Sequence, residues 1–115
     1  MSNVYLIVPV RSADVRAERI ALDYVDRMEA EGHSVHFPPR DVNQDCSTGR
    51  TICEAHRKAM IESDEVHVIW DIESKGSHFD LGMAYALGKP IVPADRIQDD
   101  PAGKSYWKAV IHGMD

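Results

Sequence analysis

Cysteine is scarce in this chain: Cys46 and Cys53 are the only two among 115 residues. Their spacing matches no zinc motif, so both are expected to be reduced thiols with neither a structural disulfide nor a metal role. Basic charge is also short. Thirteen Lys and Arg stand against nineteen Asp and Glu, a formal net charge of −6. A nucleic-acid polymer needs a concentrated basic face, so it is not the expected partner, whereas a single nucleotide can be held by a few local donors. No apolar run approaches the roughly 20 residues that cross a bilayer, so no membrane partner is expected. The start, Met1-Ser2-Asn3-Val4, lacks the basic flank and apolar stretch of a signal peptide, which makes the cytoplasm the expected location.

What is present is ordinary for a globular protein: 43% hydrophobic and 28% charged residues. The length suits one domain, residues 1–115, with a real core. There is no internal repeat and no low-complexity segment.

Strand and helix patterns alternate. Val4 to Val10 is an unbroken apolar run, as in a strand buried on both faces. Asp14 can cap a helix whose apolar stripe is Ala17, Ile20, Ala21, Tyr24, Val25 and Met28, and Gly32 ends it. A second strand at Ser34 to Phe37 is stopped by Pro38-Pro39, and residues 40 to 50 read as a polar loop. A second helix carries Ile52, Ala55, His56, Ala59 and Met60 on one side. Glu65 to Trp70 is a β-rich run, Asp71 to Ser77 a polar turn, and a short small-residue helix bearing Asp80 follows. Gly88-Lys89-Pro90 stops that helix before a strand at Ile91 to Pro93. A loop from Asp95 to Lys104 and a helix from Ser105 to His112 complete the reading. The pattern predicts an α/β fold, a flavodoxin-like three-layer sandwich on a parallel sheet of about four strands in the order 2-1-3-4.

In such sheets ligands bind outside the carboxyl ends of the strands, which is where Asp80 is expected. Placed on the first turn of its helix, a carboxylate would be favoured by free N–H groups and the positive helix end. It could serve as a nucleophile, or it could simply decorate the helix start. Gly82, Ala84, Ala86 and Gly88 would let this helix approach either the sheet or a ligand closely. Trp70 and Trp107 could stack on a base, although burial is the usual reason for tryptophan at a strand end or on a helix. The Arg40-Asp41-Val42-Asn43-Gln44-Asp45 loop could read a base or ribose, or be a solvated connection.

The order Ser63-Asp64, a β-run, Asp71, Ser74-Lys75-Gly76, Asp80, Gly82-Met83-Ala84 and Gly88-Lys89-Pro90 resembles the signature of the nucleoside 2-deoxyribosyltransferase superfamily. Tyr5-Leu6 and the Gly32-His33-Ser34-Val35 turn resemble it as well. The resemblance implies cleavage or exchange of an N-glycosidic bond by a helix carboxylate that attacks C1′ of a nucleoside or nucleotide. By position that nucleophile is Asp80, where the family carries Glu. Ser74 falls where nucleotide-cleaving members hold a 5′-phosphate, and Arg11 where they place a phosphate-contacting arginine, a task suited to its planar fork. Tyr5, Asp71, Gly76 and Ser77 complete the implied substrate-binding set. His56 stands where those members carry an Asp, and it reads either as a catalytic proton donor or as a satisfied, half-buried histidine. Glu54, two residues away, points off another side of the helix.

The resemblance further implies a homodimer or higher homo-oligomer, a small-molecule nucleoside or nucleotide as partner, and chemistry that requires no cofactor and no metal. The alternative to an enzyme is a non-catalytic nucleotide-binding or sensing domain on the same fold, with Asp80 holding ribose hydroxyls. A phosphoacceptor receiver is excluded, because Val8-Pro9-Val10-Arg11 offers no acidic pair after strand one. A flavin site is disfavoured because the same loop lacks a Ser/Thr/Gly-rich phosphate cradle. An NAD-cleaving relative of the Toll/interleukin-receptor domains stays open.

Overall fold

The computed structural model describes residues 2–9, 15–42, 49–97 and 103–112. The strands are β1 (Asn3–Ile7), β2 (Ser34–His36), β3 (Glu65–Trp70) and β4 (Ile91–Arg96). They form one parallel sheet in the order β2-β1-β3-β4, as the alternation of elements predicts. The helices are α1 (Val15–Ala30), α2 (Pro38–Asp41), α3 (Arg50–Glu62), α4 (Lys75–Ala86) and α5 (Tyr106–His112).

The unbroken apolar run of β1 is explained by burial on both faces. Val4, Leu6 and Val8 enter a core with Ala21, Val25 and Met28 of α1, together with Val35, Phe37 and Ile69. Tyr5 and Ile7 point the other way, into a core with Met60 of α3, Leu81 and Ala84 of α4, and Trp107 of α5. Two-residue alternation thus sends Tyr5 to the face that carries α3 and α4. In register, Tyr5 stands opposite Val66 on one side and His36 on the other.

Several boundaries differ from the sequence reading. The first strand ends at Ile7, although Val8 remains buried. Pro38-Pro39 ends β2 and also opens the one-turn helix α2, where a proline costs nothing because the first helical N–H groups have no intrahelical acceptor. The loop expected from residue 40 is therefore helical at its start. The fourth strand runs on to Arg96, past a register irregularity opposite Val68 and Ile69, and takes in the beginning of the expected loop. Asp14, Cys46 and residues 43–45 lie outside the described residues.

Among the described residues no helix is long and apolar enough to cross a membrane. Among the same residues no group of three or more His, Cys, Asp or Glu is arranged to hold a metal ion.

Candidate active site

Asp80 belongs to the second turn of α4, not the first. The helix begins at Lys75, with Ser74 as its N-cap. At 1.5 Å per residue, Asp80 lies roughly 7–8 Å down the axis from the helix start, recessed below the carboxyl rim of the sheet. It is therefore beyond the free N–H groups, and the expected help from the helix end is absent. Two side chains supply what the helix does not. The Tyr5 hydroxyl donates to Asp80 Oδ2 at 2.9 Å. His56 Nδ1 lies 3.3 Å from Oδ1 and 3.2 Å from Oδ2.

The cluster is nearly dry: Asp80 is 5% exposed and Tyr5 0%. Burial pushes the Tyr5 phenol far above its ordinary value, with the Asp80 charge and hydrogen bond adding to it, so Tyr5 remains a donor. A carboxylate only accepts, so His56 Nδ1 must carry the proton it shares with Asp80. His56 Nε2 is buried without a hydrogen-bond partner among the described residues. In neutral His56 that nitrogen is a base, and only the imidazolium can donate from it. The Tyr5 ring meets His56 edge-on at 6.0 Å.

His36, which the sequence did not single out, joins the group. Its ring stacks on Tyr5 with centroids 5.2 Å apart and planes 25° from parallel. Burial holds its pKa below the ordinary histidine value, only partly offset by the Asp41 charge. The signal that could have found it is the register of β1 against β2, which the predicted strand order leaves open.

The other expected site residues are placed unevenly. Ser77 is buried on α4 three residues before Asp80, hence on the same helix face, and its Oγ has no hydrogen-bond partner among the described residues. Ser74 is occupied as the N-cap, its Oγ accepting from the Ser77 N–H at 3.2 Å. Asp71 closes the turn after β3, its Oδ1 accepting from the Glu73 N–H at 3.0 Å. Gly76 is exposed, and a Cβ there would meet nothing within 4 Å. Arg11 lies outside the described residues. Glu54 points away from Asp80 and faces Arg50 at 3.9 Å on the surface.

Three expectations are corrected. A Cβ on Gly82 would also meet nothing within 4 Å, so this glycine does not serve close packing; Ala84 is the small residue buried against the sheet. Trp70 and Trp107 stack on each other at 5.1 Å and are both buried, which removes them as platforms for a base. Arg40 and Asp41 are committed internally. The Arg40 guanidinium donates to Asp41 Oδ1 at 2.8 Å, to Glu29 at 3.1 and 3.2 Å and to the Val35 carbonyl at 2.9 Å.

Two clefts lie apart from this cluster. One, of about 400 Å³, is lined by Val8, Ala21, Phe37 and Arg40 among others, on the α1 face. The other, of about 470 Å³, lies between α4 and α5. Asp80 lines neither.

No family model and no curated protein matches the chain. Solved structures do. The 2-deoxyribosyltransferase of Bacillus psychrosaccharolyticus superposes with a TM-score of 0.70 at 18% identity, over 88% of this chain and 77% of that one. The fold is that of a 2-deoxyribosyltransferase. The CMP N-glycosidase BcmB of Clostridium botulinum shares this 2-deoxyribosyltransferase fold, with a TM-score of 0.65 at 18% identity over 96% of this chain and 80% of that one. So does a conserved protein of Enterococcus faecalis V583, with a TM-score of 0.63 at 21% identity over 81% and 62% of the two chains.

Proposed function

We propose that this chain cleaves the N-glycosidic bond of a nucleoside or nucleotide, as an N-ribosyl or N-deoxyribosyl hydrolase or transferase, with Asp80 as the nucleophile. The observation that carries the reading is a buried carboxylate held between a phenol and an imidazole, inside a fold shared with an N-glycosidase and a deoxyribosyltransferase. A carboxylate suits this reaction because the transition state is oxocarbenium-like, and a fixed anion stabilises it before bonding is complete.

In the proposed first step an Asp80 oxygen attacks C1′. The C1′–N bond breaks, its electron pair leaves with the base, and an ester to Asp80 forms. The base leaves neutral if a proton reaches it, and protonated His56 would give that proton from Nε2. In the second step water or another base attacks C1′ and returns the carboxylate. Neutral His56 would take the proton from the attacking group. The proposed roles of Tyr5 are to orient Asp80 and to line the sugar site. Ser74, Gly76, Ser77 and Asp71 at the head of α4, with Arg11, are the proposed contacts for the rest of the substrate. The proposed assembly is a homodimer or higher homo-oligomer.

The second reading is a nucleotide sensor without turnover. It is favoured by two facts: both Asp80 oxygens are already engaged, and the side chain is one methylene short of Glu. The deciding measurement is chromatographic release of free base from a panel of nucleosides, 5′-monophosphates and NAD. Wild type should release base, and Asp80→Ala should lower the rate by about 10³-fold or more while leaving the circular dichroism spectrum unchanged. Absence of release with thermal stabilisation by a panel member would replace the enzyme with the sensor.

A further inference from the structure

We propose that His36 is a positioning residue, which holds the Tyr5 ring so that its hydroxyl is aimed at Asp80. The kinetic consequence rests on the N-glycosidase reading above; the structural claim does not.

Tyr5 has one polar atom to fix and a ring that rotation about its side-chain bonds could swing off target. His56 meets that ring only by an edge, at 6.0 Å. The face of the ring is covered by His36, at 5.2 Å and 25° from parallel. Stacking of this kind restrains rotation of both rings. The two residues are direct partners in the β1–β2 register, so the sheet itself sets their separation.

β2 is a three-residue edge strand, and backbone pairing alone is a weak anchor for a residue at its end. The chain around His36 is pinned by other means. The carbonyl of Val35, the residue before it, accepts from Arg40 at 2.9 Å. The N–H of Phe37, the residue after it, donates to Asp41 Oδ2 at 2.8 Å. Arg40 is in turn tied to Glu29 near the end of α1. A clamp of three charged side chains thus brackets a single histidine, and the ring it fixes lies against the tyrosine that holds the proposed nucleophile.

The charged and titratable groups around His36 are Tyr5 on β1, His56 on α3, Asp80 on α4, and Asp41 and Arg40 on α2. Among the described residues buried His36 Nε2 has no hydrogen-bond partner, so the ring acts through its face and not through a hydrogen bond from that atom. This separates the proposal from a general-acid role and sets the choice of variants. His36→Phe keeps a planar ring, whereas His36→Leu keeps apolar volume without one.

The experiment reads the Tyr5 hydroxyl proton by NMR, assigned by its disappearance in Tyr5→Phe, alongside steady-state base release. A buried hydroxyl donating to a carboxylate exchanges slowly enough to be seen. The expected result is a resonance present in wild type and in His36→Phe and lost in His36→Leu. With it, kcat should fall about tenfold in His36→Leu, with KM within about twofold and activity retained in His36→Phe. In a Tyr5→Phe background His36→Leu should have no further effect, because its action passes through the hydroxyl. If His36→Leu does not fold, His36→Gln makes the same comparison.

Persistence of the resonance in the ringless variant overturns the proposal. Its loss in His36→Phe, or its absence from wild type, does so too. If wild type releases no base, the N-glycosidase reading fails, and the hydroxyl resonance alone still decides the role of His36.

Discussion

His67 lies buried in β3, with the Tyr24 hydroxyl of α1 against its Nδ1 and Glu65 at 3.6 Å from Nε2. Burial pushes its pKa below the ordinary histidine value, and the nearby Glu65 carboxylate only partly restores it. His36 is shifted in the same direction by the same cause. The unfolded chain therefore binds protons more readily than the folded one below about pH 6.5. Stability from these histidines is fully present above that value and is lost as pH falls toward their lower folded values. The melting temperature should drop between pH 7.5 and 5.5, and His67→Gln, which cannot titrate, should flatten the drop. A melting temperature that is equal at the two pH values in wild type would refute this. Residue chemistry of this kind was partly legible in the sequence. Asp80 and Tyr5 could be nominated as the site and His56 as an ambiguous member of it, but the Tyr5–His36 stack depends on the residue register between β1 and β2, which the strand order alone does not fix.

At the scale of elements, α4 shows how a boundary error moves chemistry. Ser74-Lys75-Gly76-Ser77 reads as a turn because Gly and Ser are common in turns. The structure uses Ser74 as an N-cap and begins the helix at Lys75, which shifts Asp80 from the first turn to the second and changes what holds its charge. The cue was present, since Ser is among the preferred N-cap residues, but the same serine also suited a phosphate ligand. The helix stop was clearer: Gly88 adopts a φ of 67° before Lys89-Pro90, as the sequence predicts. Gly82 within the helix and Gly88 two residues past its end should respond oppositely to alanine. Gly82→Ala should stabilise by about 0.5–1 kcal/mol, because a Cβ there meets nothing and glycine costs a helix interior. Gly88→Ala should destabilise by about 1–2 kcal/mol, because only the backbone angle resists it. Urea titrations read both, and equal signs would show that the packing of α4 differs from that described.

For the whole molecule, the sheet order was legible because parallel strands joined by helices leave few topologies once crossovers must be right-handed. The surface was not. Phe79, Tyr85 and Tyr106 are 54%, 68% and 74% exposed, and the last two flank the cleft between α4 and α5. If the proposed homo-oligomer uses this face, Tyr85→Arg should shift the sedimentation coefficient toward that of a monomer without lowering the melting temperature of the subunit. An unchanged coefficient would place the assembly elsewhere. The Tyr5–Asp80 bond has one more effect, on the order of events during folding. It joins positions separated by 75 residues, and β1 waits for β3 to complete its pairing. During synthesis the apolar stretch Val4 to Val8 therefore meets α1 and β2 early but leaves the ribosome well before β3 and α4, its partners on the other side, exist. The hydrogen bond that sets the proposed nucleophile thus cannot form until Asp80 has followed, so a ribosome stalled before it would display the hydrophobic strand without the site it serves.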